Sequence, residues 1–280
     1  KISTYHRFDF HEIENVNLFA NGQQWMGEDF SFQDTQNFIF DFNDLDRNEA
    51  VSFRVRGVAV SSSDTKMNVQ VNGQELMDLT YQRIPRNSLK KADSDENTQN
   101  VLLNSEQIDI EITYNNAGNP SSRAYLDFIE VIGNCNLVAR GSQFSFYNSN
   151  ASDPGTLYEY TVTNVSNINE LWDVSDPISP IKIVNSGDAN DFIFKGYGGE
   201  KTYAILGTEP FFIPETIEDN QIINQNLHGL KDLDYVIISQ EYLLSEAERL
   251  ADYHRENSGL KVALVNLDEI YNEFGSGSPD

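Results

Sequence analysis

Cys135, in "IGNCNL", is the chain's one cysteine, and His6, His11, His228 and His254 are its four histidines. Thiol chemistry would need one of these rings to take the Cys135 proton and leave a nucleophilic thiolate. Cys135 closes a strand pattern with no histidine near it in sequence. A lone cysteine in that setting reads first as a small buried hydrophobe. His6 and His11 are too few and too isolated for a zinc site. His228, in "NLHGL", precedes the first strand of the C-terminal segment and reads as a structural loop residue. His254 sits on the apolar stripe of a helix near its C-terminus, where packing and the helix dipole account for it. No catalytic, cofactor-binding or metal-binding residue is assigned among them.

Carboxylates are the next candidates. "DFNDLDRNE", Asp41 to Glu49, raises calcium, the one cofactor the sequence suggests, because hard cations take several carboxylate oxygens from one short loop. Counting from Asp44, however, the sixth position of the EF-hand template is Glu49 where glycine is required, and the twelfth is Val55 where glutamate is required. A solvated acidic turn between strands is the better reading. Trp25, Trp172, Tyr158 and Tyr160 could stack on sugars, although aromatics at period two are more often core. The sequence has no glycine-rich phosphate loop, no Gly-x-Ser-x-Gly elbow and no cysteine pair for a metal.

These residues must be positioned by elements of two kinds. From Thr35 to about Ile132 the apolar period is two: Phe38, Phe40 and Phe42 alternate with Asn37 and Asp41, Phe53 and Val55 with Arg54 and Arg56. Ile108, Ile110, Ile112 and Tyr114 alternate with Asp109, Glu111 and Thr113. Such alternation predicts half-buried antiparallel strands. Asn72-Gly73 supplies the two positive-φ positions of a tight hairpin turn. "AYLDFIEVIG", Ala124 to Gly133, is apolar on both registers and predicts a central strand packed on both sides. Together these predict a mostly β protein that opens with a jelly-roll-like antiparallel β-sandwich. "NSLKKADSDENTQN", Asn87 to Asn100, is polar throughout and reads as a mobile surface loop. After Cys135 strand patterns resume ("QFSFYN", "YEYTVTN", "DFIFKGYG", "KTYAILG"), as a second β-rich module or an extension of the first. Asp176-Pro177 and Ser179-Pro180 mark turns, and Glu209 to Asn226 is a long connection.

The period changes in the last fifty residues. Tyr235–Ile238 and Lys261–Val265 are continuous apolar runs, as parallel strands show. Ser245 and Glu248 predict a capping box at the start of a helix between them. Ala247, Leu250, Ala251 and His254 form its apolar stripe, and Gly259 its left-handed C-cap. The unit has the length of a βαβ crossover, right-handed by rule. Its strand residues would each forfeit about 1.5–3 kcal/mol if left exposed, and one helix covers one face only. Asp234–Asp280 is therefore expected either to be disordered or to pack against another surface. The preferred expectation is a larger domain whose remainder lies outside this sequence.

The charge is −25, from 44 acidic against 19 basic residues in 280, so nucleic acid and anionic membranes are poor partners. No signal-peptide pattern opens the chain at Lys1 and no run approaches 18 apolar residues, which predicts a soluble chain or a mature, processed one. With one cysteine no internal disulfide is expected, and the redox compartment is not reported.

"ELWDVSDPISP" (Glu170–Pro180), "INQNLHGL" (Ile223–Leu230), "DYVIISQEYLLSEAERLADYHRENSGLKV" (Asp234–Val262) and "EIYNEFGSGSPD" (Glu269–Asp280) resemble the gingipain-type cysteine peptidases, in particular the branch acting as the sortase of the type IX secretion system. "YLDFIEVIG" is similar to the end of that family's N-terminal domain. The resemblance implies a caspase-like α/β domain, of which 229–280 is the incomplete start, after a sandwich over 1–135 and further β structure over 136–228. It implies a cell-surface, outer-membrane-associated enzyme that removes C-terminal signals from secreted cargo and attaches the new terminus to an anionic lipopolysaccharide. It also implies an outer-membrane β-barrel partner of the PorV type. The family's catalytic histidine and cysteine lie downstream of the matched segment, so the chain alone is expected to be inactive. The His228-Gly229 pair resembles the dipeptide at the family's catalytic histidine but precedes the first strand, and no role is carried over to it. The alternative is a non-catalytic jelly-roll module that binds glycan or protein.

Overall fold

The computed structural model describes residues 1–18, 24–141, 143–148, 150–187, 190–207, 224–275 and 277. The chain divides into two compact units, Lys1–Phe212 and Ile213–Asp280.

The first unit opens with eight antiparallel strands: β1 (Thr4–Glu12), β2 (Thr35–Asp41), β3 (Ala50–Val60), β4 (Thr65–Val71), β5 (Gln74–Tyr81), β6 (Asp93–Leu102), β7 (Gln107–Asn115) and β8 (Arg123–Asn136). They form two four-stranded sheets in the orders β1-β8-β3-β6 and β2-β7-β4-β5, the jelly-roll arrangement. The alternation works as expected: Phe38, Phe40, Phe53, Val55, Ile110 and Ile112 are all buried between the sheets. Asn72 (φ 49°) and Gly73 (φ 76°) make the β4–β5 turn, with Val71 paired to Gln74. β8 is central, but both of its faces are covered only over Ala124–Asp127; from Phe128 onward burial alternates. Tyr125 leaves the main core for a satellite cluster with Met26, Val58 and Ala92.

The polar loop expected over Asn87–Asn100 is corrected by the structure. Asp93–Leu102 is a full strand paired to β3. It lies at a sheet edge, where ladder bonds use the backbone groups that every residue has, so polar side chains do not forbid it. Its carboxylates also close the seam to β5: Asp95 accepts from Thr80 N–H at 2.7 Å and Asp93 from Gln82 N–H at 2.5 Å. Burial alone would raise the Asp93 pKa, but its bonds to Lys90 and Gln82 outweigh that and hold it below the ordinary carboxylate value.

Residues 143–207 add β9 (Gln143–Asn148), β10 (Leu157–Val162), β11 (Ile168–Asp173), β12 (Ile181–Ile183), β13 (Phe192–Tyr197) and β14 (Lys201–Gly207). These form sheets β12-β11-β14-β9 and β10-β13 around an aromatic core of their own. There Tyr160 stacks on Phe194 at 4.6 Å, and Tyr203 tilts against Phe146 at 5.2 Å. The two cores belong to one compact unit. Ile2 bridges Tyr160, Val138 bridges Thr163, and Tyr5 packs on both clusters.

The second unit carries β15 (Tyr235–Ser239) and β16 (Val262–Asn266), paired in parallel, with α1 (Leu244–Ser258) between them and α2 (Leu267–Phe274) after them. The connection expected over Glu209–Asn226 lies almost wholly outside the described residues. Gly259 caps α1 in the left-handed region at φ 65°, as expected. The Ser245 capping box does not form. A 3-10 turn over Glu241–Leu243 runs straight into the helix, so Ser245 is already helical and cannot take the extended N-cap conformation. Glu248 instead pairs with Arg255 at 2.7 Å. A capping box does form at α2, where the Asn266 side chain accepts from Asp268 N–H and Glu269 reaches back to the Asn266 amide.

Candidate functional site

The parallel pair is the part of the molecule most visibly built for a neighbour. α1 lies over the Tyr235 side of the sheet, its His254 ring edge-on to Tyr235 at 5.2 Å. Strand alternation puts Val236 and Ile238 on the opposite side, where they are 45 % and 56 % exposed. β15 and β16 bond only to each other, so among the described residues each keeps one unpaired edge. Parallel sheets are ordinarily covered on both faces. Arg255 reaches from α1 to the Val262 carbonyl at 3.1 Å and so satisfies one strand acceptor.

Glu273 ties the entry segment to α2. Its carboxylate accepts from Leu227 N–H (2.7 Å), His228 N–H (2.8 Å), the His228 ring and Gln225 Nε2 (3.1 Å). The Leu227 amide foremost, against the opposing effect of burial and with help from His228 and Gln225, lowers the Glu273 pKa from 4.5 to about 2. His228 is thus a structural residue in a 3-10 turn, Leu227–Gly229, with its ring against Phe274 at 4.6 Å. Sequence reasoning missed Glu273, because the spacing from 227 to 273 carries no local signal. The Asn266-x-x-Glu269 box, by contrast, is a local signal carried in four consecutive residues.

The remaining candidates are dispersed. Cys135 is fully buried in the sandwich core, and burial pushes its thiol up to about 11. His11 bonds Glu28 at 2.6 Å and packs on Phe38. The acidic turn is structural: Asp44, at φ 60°, pairs with Arg140 at 2.5 Å, and Asp46 accepts from Asn48 N–H. No group of three or more His, Cys, Asp or Glu among the described residues could hold a metal ion. Tyr160 is fully buried and cannot stack on a ligand, while Trp172 lies on β11, bonded to Glu170 at 2.9 Å. Trp25 stands apart, in the segment between β1 and β2. A largely apolar cleft of about 730 Å³ lies in the first unit, walled by Phe8, Ile132, Phe144, Phe146 and Tyr147, with Arg140 at its rim. No helix among the described residues is long and apolar enough to cross a membrane.

Residues 228–280 match Peptidase family C25. Over its whole length the chain has the fold of part of dimeric latent PorU from Porphyromonas gingivalis, with a TM-score of 0.74 at 24 % identity, covering 100 % of this chain and 27 % of that one. The chain therefore spans about a quarter of that protein's length. Two family 36 carbohydrate-binding modules are far more distant. One, from a xylanase of the Trinervitermes trinervoides hindgut metagenome, matches at TM-score 0.29 and 14 % identity over 45 % of this chain and 96 % of its own. The other, solved with calcium and xylotriose, matches at 0.31 and 16 % over 44 % and 98 %. No curated protein matches. The chain thus resembles the gingipain-type cysteine peptidases through the C25 match of its α/β segment, and its fold is that found in PorU.

Proposed function

We propose that residues 228–280 are the opening βα units of a C25-type cysteine-peptidase domain, and that the β-rich unit before them positions that domain in a cell-surface sortase of the type IX secretion system. The enzyme would remove C-terminal signals from secreted cargo, with an outer-membrane β-barrel of the PorV type as its partner. The observation that carries this reading is the C25 match falling on a two-stranded parallel sheet whose Val236 and Ile238 remain exposed. A caspase-like sheet would extend from such a pair and cover that face. The catalytic histidine and cysteine belong, on this reading, to further strands of that domain, and Cys135 takes no part because it is sealed in the sandwich core.

The test begins with the encoding reading frame. It should continue past Asp280 into a strand ending in His-Gly and a later one ending in cysteine, and an early stop codon refutes the proposal. The protein encoded by the longer frame should release the C-terminal signal from a cargo protein, whereas the 280-residue chain should not. Release that survives replacement of the downstream cysteine would also refute it.

A further inference from the structure

The two seams of the jelly roll are treated differently. At one, β6 presents carboxylates that take up the amides of Thr80 in β5 and of Gln82 just after it, which blunts that seam. At the other, β1 and β2 are the end strands of their sheets and flank a groove of about 470 Å³. β1 is nine residues long and reverses the usual polarity of a sandwich strand. Arg7, Asp9 and His11 face inward, while Phe8 and Phe10 point outward, 55 % and 56 % exposed and stacked on each other at 5.8 Å. The Phe10 N–H is taken by the adjacent Asp9 carboxylate, at 3.0 Å. That is the arrangement of an amide turned away from β8. A long edge strand with exposed aromatics is what soluble proteins avoid unless something pairs with it.

The groove also states a charge preference. Arg7, Asp9, His11 and Asp41 line it and Glu12 ends the strand. Arg7 is engaged by the Phe42 ring at 5.0 Å and paired with Asp9 at 3.6 Å, and His11 is paired with Glu28 at 2.6 Å, which leaves Asp41 and Glu12 as the acidic side chains outside those pairs. The whole chain carries −25, which repels both acidic peptides and a second copy. We infer that the free edge of β1 is a strand-addition site for an extended cationic peptide segment with a bulky apolar side chain at every second position. Backbone bonds to the outward amides and carbonyls of β1 would fix the segment, its apolar side chains would lie beside Phe8 and Phe10, and its basic side chains would face Asp41 and Glu12. The inference is independent of the peptidase reading and needs no catalytic activity to test.

The probe is a fluorescein-labelled heptapeptide of alternating Lys and Val, titrated with the full chain by fluorescence anisotropy at about 0.15 M salt, where long-range charge effects are screened beyond about 8 Å. The alternating peptide should bind at least about tenfold more tightly than a peptide of the same composition in Val and Lys blocks. N-methylation of alternate peptide amides should abolish binding in one register and spare it in the other, a signature that requires no protein variant. Phe8→Ser with Phe10→Ser should weaken binding by about tenfold or more. Phe10→Pro should do likewise, since it removes an outward amide and leaves the β8 ladder intact. Circular dichroism checks that both variants fold. Equal affinity for the block peptide, indifference to both methylation registers, or no binding up to about 1 mM peptide, weaker than any specific strand addition, would overturn the inference. So would a concentration-dependent dimer that Phe10→Pro dissolves, because the occupant would then be a second copy.

Discussion

Val236 and Val265 lie on paired strands and share a side chain, but Val236 is 45 % exposed and Val265 4 %. Threonine has nearly the same shape as valine and the same β-branching, so replacing each in turn isolates what surrounds the site. At Val265 the new hydroxyl is desolvated, and without a partner it costs about 1–3 kcal/mol. At Val236 roughly half the surface is already in water. Exchanging one methyl there, worth about 0.8 kcal/mol when fully buried, costs about 0.4 kcal/mol. Native-state hydrogen exchange of the β15 and β16 ladder amides reads both values as opening free energies. At 1.4 kcal/mol per tenfold, Val265→Thr should speed exchange by about 5- to 150-fold and Val236→Thr by about 2-fold. Val265 is paired with Ile238 and so shares the Val236 face. Equal effects would mean that the Val236 position is already covered as Val265 is, and the reasoning that this edge of the sheet calls for neighbours would fail. In a protein that supplies further strands, the Val236→Thr cost should rise to the Val265→Thr value.

Three further outcomes follow from single residues. Raising the Cys135 thiol from 9.0 to about 11 leaves about a hundredfold less thiolate near pH 8, so iodoacetamide should label the native chain at least that much more slowly than the unfolded one; comparable rates would show the thiol to be accessible. Gly57 sits at a β-bulge in β3, where an added Cβ would lie 2.5 Å from the Tyr81 hydroxyl and 3.1 Å from the Tyr125 carbonyl. Gly57→Ala should therefore cost about 1–3 kcal/mol in denaturant unfolding, and an unchanged midpoint would refute the close packing there. The Glu273 pKa is depressed on folding, so its stabilisation is present in full above about 4.5 and fades as pH falls toward about 2. The protection factors of the Leu227 and His228 amides, exchange taken relative to the intrinsic rate at each pH, should fall as pH drops across that window in the wild type, whereas in Glu273→Gln they should already be low at neutral pH. A pH-independent difference between the two proteins would sink this reading.

What the amino-acid sequence determined by itself was whatever depends on a few consecutive residues. The β4–β5 turn needs two positive-φ positions, and Asn72-Gly73 supplies them. The Gly259 cap and the period-two faces of β2, β3 and β7 are equally local, because φ preference and the strand repeat act over one to four residues. The C25-like segment was legible from the motifs of Asp234–Val262, which are contiguous. Only the tertiary structure decided the rest. β6 is a strand because β3 offers it an edge, and a backbone ladder leaves no mark in side-chain polarity. Ser245 lost its cap because the preceding turn had already entered the helix. The Glu273 tie joins residues nearly fifty apart, and the outward-facing phenylalanines of β1 acquire meaning only once that strand is known to end a sheet. Such features depend on which distant groups meet, and alternation or propensity along the chain does not encode that.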